Sequence, residues 1–318
     1  MNLAARLHRP EILAAWLIAG VLALDVGLLA WRGSSIAAAA FAGNIAVALV
    51  MIALALGYRH LGRAAEIATT LIACSFFILF SNAGAVLNNL LIAPGSATID
   101  PLLFRADAML GFDWRAFAIA LSDYPALCRV LSWTYQSSLV QMAVVLIWLG
   151  FTGARVNLHR FLLVGMISSC VTMAFWALAP SFGPAPFVEL PAEVDARIGR
   201  VVDAGYGARL LDLAANGAPP VIGQEHLMGL IAFPSMHTVM ALMTTLFARR
   251  TRLFWPMVLV NLLMAPAILL QGGHHLVDVF GGTALFFAVH ALVSRIVPHE
   301  KSALAQASAD MKALPLPA

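Results

Sequence analysis

The chain has 318 residues, of which 61% are apolar and only 11% charged, with a formal net charge of +3. A soluble domain carries about 25% charged residues, so a soluble globular fold is excluded and a multi-span membrane protein is expected. Cys74, Cys128 and Cys170 are scattered without paired spacing, which gives neither a disulfide framework nor a cysteine zinc site, and no basic stripe interleaved with aromatics suggests a nucleic-acid partner.

In chain order, eight candidate spans fall at about 11–31, 36–57, 66–92, 129–151, 161–179, 234–248, 253–271 and 274–296. Each is close to the ~20 residues that a bilayer core requires. The expected fold class is therefore all-α, a polytopic transmembrane helical bundle. The first run is long enough to span and lacks a small-residue cleavage site, so it reads as a span and not as a signal peptide. Asp25 lies alone within it and is expected to serve helix packing or to face water. Asn82, Asn88 and Asn89 mark the end of the third span as polar.

Two long connections interrupt the pattern, at about 93–128 and 180–233. The first contains "DPLLFRADAMLGFDWRAFAIALSDYP", which reads as one or two interfacial helices anchored by Trp114 and Phe117. The second is rich in Pro and Gly and carries Arg197, Arg200 and Arg209. Residues 1–60 read as N-terminal membrane helices, 61–298 as the catalytic membrane domain, and 299–318 as a disordered cytoplasmic tail.

Eight spans divide the basic residues unevenly. One side receives Arg6, Arg9, Arg59, Arg63, Arg155, Arg160, Arg249, Arg250, Arg252, Arg295 and Lys301, all in short loops or termini. The other receives Arg32, Arg105, Arg115, Arg129, Arg197, Arg200 and Arg209, nearly all in the long connections. Positive charge in short loops marks the cytoplasmic side. Both termini are thus expected in the cytoplasm of a bacterial cell, with the long connections on the outer face of its inner (plasma) membrane.

Two stretches carry the chemistry. "AFPSMHTVMA" at 232–241 and "GGHHLVDVFGGT" at 272–283 both open helices at the outer level. His274 and Asp278 are four residues apart, one turn on one helical face. A carboxylate there fixes the tautomer of the imidazole and leaves its other nitrogen free as a nucleophile. His237, from another helix start, can act as the acid/base group. The start of that helix, at Ser235 and Met236, offers free amides and a positive dipole end that suit a phosphate. Gly272 and Gly273 allow backbone to approach a ligand closely. His275 is expected to face solvent or cap the helix, and His60 and His290 to anchor at the interface. The combination describes phosphoryl transfer through a phosphohistidine. Two imidazoles and a carboxylate can also bind zinc, and that alternative stays open at this point.

"PSMH" followed by "GGHHLVDVFGG" resembles the second and third signature motifs of the type-2 phosphatidic acid phosphatase superfamily. "DAMLGFDW" and "SWTYQSSL" upstream are more weakly similar to its inositolphosphotransferase or inositolphosphorylceramide synthase-like branch. The resemblance implies a six-helix phosphatase-like core, with His274 as nucleophile, Asp278 as its partner and His237 as proton donor to the leaving group. It also implies a lipid phosphate substrate in the bilayer, an acceptor that is water or a hydroxyl, and no cofactor or metal. The lysine-containing first motif is absent, and Ala267 and Ile268 stand where the family places a Ser-Arg pair. Arg105 and Arg129, near helix ends of the first long connection, are the expected replacements for the missing phosphate clamp. A non-catalytic phospholipid-binding protein is the remaining alternative.

Overall fold

A chain immersed in lipid must satisfy its backbone hydrogen bonds within each segment, which leaves the helix as the form open to these apolar runs. The computed structural model describes residues 7–226 and 229–298. The tail expected to be disordered, with Lys301, and Arg6 at the other terminus lie outside the described residues. The helices are α1 (Arg9–Arg32), α2 (Ala38–His60), α3 (Ala65–Leu91), α4 (Asp100–Met109), α5 (Trp114–Ser122), α6 (Pro125–Gln136), α7 (Ser138–Phe151) and α8 (Arg155–Leu178). There follow α9 (Ala192–Ile198), α10 (Ala204–Asn216), α11 (Met236–Phe247), α12 (Phe254–Leu262), α13 (Met264–Gln271) and α14 (Leu276–Ile296).

Six helical segments among the described residues are long and apolar enough to cross a membrane: α1, α2, α3, α8, α12 with α13, and α14. The other two expected spans take different forms. Residues 129–151 belong to α6 and α7, which meet at a 48° bend. The run at 234–248 yields only the 12-residue α11, about 18 Å long against a bilayer core of about 30 Å. A helix this short can begin below the membrane surface, which is where its first turn delivers His237.

The asparagines of α3 lie in its second half, and the helix runs to Leu91. Asn82 and Asn89 donate their side-chain amides to the carbonyls of Ile78 and Ala85 one turn back, whereas the buried Oδ1 of Asn88 has no hydrogen-bond partner among the described residues. Asp25 is buried, and its Oδ1 has no hydrogen-bond partner among the described residues.

At one end of the bundle Glu11 takes a bidentate pair from Arg59, at 2.6 and 2.8 Å, and faces His159 Nε2 at 3.3 Å. This joins the start of α1, the end of α2 and the start of α8. The Arg160 side chain, also at the start of α8, donates to the carbonyl of Val297 just past α14. The starts of α14 and α11 therefore lie at the opposite end, under the two long connections. Those connections fold back over that end as α4, α5, α9 and α10. Trp114, expected as an interfacial anchor, is instead a core residue: it is buried and its indole donates to the Leu269 carbonyl at 2.7 Å.

Candidate active site

The start of α14 brings His274 Nδ1 to 3.0 Å from Asp278 Oδ2, as the one-turn spacing requires. The same oxygen accepts the His275 amide at 2.9 Å. Asp278 is fully buried and His274 is 4% exposed. With Nδ1 donating to the carboxylate, Nε2 holds the lone pair. His274 lines a cavity of about 510 Å³ together with Gly272, Met236 and His237.

His237 occupies the second position of α11. Its ring lies 6.3 Å from that of His274, inclined at 71°. Tyr135, in the last turn of α6, stacks on it at 4.1 Å and also lines the cavity. Absent side chains permit the meeting. A Cβ at Gly282 would overlap the Ser235 carbonyl, so glycine lets α14 lie against the start of α11. Gly183 has φ +76°, and a Cβ there would overlap the Gly273 carbonyl. The loop after α8 thus presses directly on the turn that carries His274.

The expected phosphate ligands divide. Gly272 and Met236 line the cavity. The amides of Met236 and His237 sit in the first turn of α11, where no intrahelical acceptor exists. The Ser235 amide does not face the cavity in this way: it donates to the Asp278 carbonyl at 3.1 Å, while Ser235 Oγ caps the helix by accepting from the Thr238 amide. The Gly272 amide is likewise engaged, by the carbonyls of Ala267 and Ile268. Gly273 supports the turn through its contact with Gly183. Arg105 and Arg129, expected near helix ends, lie within α4 and α6, are exposed and are not among the cavity-lining residues. Among the described residues, no arginine or lysine lines the cavity.

Sequence reasoning missed Tyr135, whose ring reaches His237 from a different helix, about 100 residues away in the chain. It also missed Asp100 and Asp107, and it left His275 as a solvent-facing or capping residue. His275 does occupy the residue before α14, but it is fully buried. Among the described residues, no group of three or more His, Cys, Asp or Glu side chains is arranged to hold a metal ion.

Fold and site together define an integral membrane protein with a paired-histidine centre roofed by amphipathic helices. The pattern of the PAP2 superfamily matches residues 101–292, well over half of the chain, and the chain belongs to that superfamily. Membership makes it a membrane enzyme of the phosphatase type. The match covers the superfamily as a whole and does not single out the inositolphosphotransferase-like branch. Comparison with curated proteins and with solved structures finds no match.

Proposed function

We propose that the protein transfers a phospho-headgroup from a lipid donor to a hydroxyl acceptor through a phosphohistidine at His274, at the outer leaflet. The observation that carries this reading is the joining of His274, oriented by Asp278, to His237 across one cavity. His274 Nε2 attacks phosphorus as the bond to the leaving oxygen breaks, and His237 gives that oxygen its proton. The acceptor O–H then attacks phosphorus, the P–N bond breaks, and the acceptor proton passes to His237. The Met236 and His237 amides and the positive end of α11 suit the non-bridging oxygens.

A lipid donor is supported by the continuity of the cavity with an apolar crevice. Leu139, Met236 and Met240 line both the catalytic cavity and a smaller crevice of about 90 Å³ between α3, α7, α8 and α11. Phe77, Phe80 and Met142 add to that crevice. The lining holds no arginine or lysine among the described residues, which suits a phosphate with one negative charge, a phosphodiester, better than a doubly charged monoester, which would need a fixed cation beside it. The roof formed by the two long connections favours transfer over hydrolysis, since excluding water protects the intermediate. The charge bias of the short loops supports cytoplasmic termini and an outward-facing site.

The test is partition. Purified protein is given phosphatidylinositol, phosphatidic acid or a polyprenyl phosphate, with water, inositol, glycerol or ceramide as acceptor. Acceptor product formed in preference to free phosphate or free headgroup supports the reading. Fast, acceptor-independent release leaves a lipid phosphatase, and a His274→Gln variant that retains turnover removes the nucleophile assignment. Sidedness is read separately: single cysteines replacing Ala97 and Glu193, in a background without the native three, should react with an impermeant maleimide in intact cells.

A further inference from the structure

Two carboxylates near opposite ends of α4 hold a histidine that the proposed chemistry does not use. Asp100 and Asp107 are seven residues apart, two turns, so both project from one face. His275 lies between them, fully buried. Its Nδ1 is 3.0 Å from Asp107 Oδ2. Its Nε2 faces Asp100 Oδ1 at 3.4 Å, an ion-pair contact without hydrogen-bond alignment. Phe104, on the same face of α4, meets the ring edge-on at 4.6 Å. The charged groups facing His275 are thus Asp100 and Asp107 from α4 and Asp278 from α14. Burial pushes the imidazole toward its neutral form, but the three carboxylates outweigh burial and hold its pKa at about 9.

Each carboxylate has a second task. Asp107 accepts the Leu276 amide at 3.1 Å and the Val277 amide at 3.0 Å, capping the first turn of α14 from another helix. Asp100 accepts the amides of Phe182 and Gly183 at 2.8–3.1 Å. Phe182 lines the catalytic cavity, and Gly183 rests on the Gly273 carbonyl. One short helix therefore ties together the two loops that flank His274.

We infer that Asp100, His275 and Asp107 form a positioning clamp that keeps Nε2 of His274 aimed into the cavity. The adjacent histidines divide the labour: His274 reacts, and His275 stays a fixed cation between two acids. A charged, directional contact suits this task, because an apolar contact would let the 274–277 turn slide or rotate, and small misplacements of a reacting group cost large factors in rate. The clamp rests on the reading of His274 as nucleophile.

The experiment uses the full-length protein in detergent, with phosphatidylinositol as donor and glycerol as acceptor, or phosphatidic acid with water if only that pair turns over. Asp107→Asn should lower kcat at least ~10-fold with KM within ~2-fold. Asp107→Glu, which keeps the charge, should recover most of the loss. The alkaline limb of kcat against pH should move to lower pH in Asp107→Asn, because one of the carboxylates holding the His275 proton is gone. Asp100→Asn probes the other nitrogen and should act in the same direction. Wild-type kcat in both neutral variants, or a loss that follows the unfolded fraction with an unmoved pH profile, overturns the clamp. If neither neutral variant folds, His275→Gln is read instead: lowered kcat at unchanged KM with an altered alkaline limb supports the clamp, and wild-type kcat with an unmoved limb overturns it. Failure of the underlying reading looks different, since His274→Gln would then keep its turnover; if the clamp alone fails, His274→Gln is inactive while the Asp107 variants are normal.

Discussion

His274 Nδ1 and Asp278 Oδ2 lie 3.0 Å apart across one turn of α14, and that same oxygen holds the His275 amide. The carboxylate thus orients both the ring and the backbone that carries it. Asp278→Asn can still accept one hydrogen bond, but it no longer stabilises the positive charge that develops on His274 during attack. The expected loss is ~10²–10⁴-fold in kcat with KM nearly unchanged, measured by steady-state turnover. A variant within a few-fold of wild type would remove Asp278 from the mechanism.

His237 has two proton transfers in the proposed cycle, and they can be separated. An activated aryl ester of the phosphate departs without a proton donor, so His237→Gln should still be labelled by it at His274. Resolution needs His237 as base, so the phosphohistidine should accumulate. Rapid quench with labelled ester and peptide mapping reads this directly. Label on a serine, or equal label in wild type and variant, would oppose the assigned roles.

Gly183 has φ +76°, and a side chain there would meet the Gly273 carbonyl. Gly183→Ala should destabilise the fold by ~1–3 kcal/mol through the left-handed backbone alone. It should also displace the turn of His274 and lower kcat by a factor larger than any loss of folded protein. Thermal unfolding in detergent beside turnover separates the two effects.

Arg105 and Arg129 are exposed and do not line the cavity. Removing either should leave kcat/KM near the wild-type value, within the ~0.5 kcal/mol typical of surface substitutions, or about two-fold. A drop of ~10²-fold in either single variant would restore the phosphate-clamp role that the sequence suggested for them.

The His275 imidazole titrates at about 9 in the fold against an ordinary value of 6.5. A raised folded-state pKa contributes stability that is fully present below pH 6.5 and is lost as pH rises through 9. Melting temperature in detergent should therefore decline across that window in the wild type, and the decline should be much shallower in His275→Gln. Parallel profiles for the two proteins would show that His275 carries no proton between its carboxylates.

Much of this protein is local in origin and was legible in the chain. Apolar runs of bilayer length determine helices because lipid offers the backbone no other partner. The four-residue spacing of His274 and Asp278 determines their contact because a helix repeats about every 3.6 residues. Even the choice of His237 followed from a helix start written as Pro-Ser-Met-His.

What the tertiary structure decided lies between segments distant in the chain. Glycine at position 282 lets α14 lie against the start of α11, which carries His237, and Tyr135 meets His237 from α6. Asp100 and Asp107 carried no distinguishing signal in the sequence, and their partner came only with α4 laid across the start of α14, 168 residues from Asp107 to His275. Trp114 read as a membrane anchor until α13 offered it a carbonyl, and Ser235 read as a phosphate ligand until the Asp278 carbonyl took its amide. Spacing along one helix fixes which side chains share a face. Which carboxylate meets which histidine depends on how separate helices pack, and that is a property of the whole bundle.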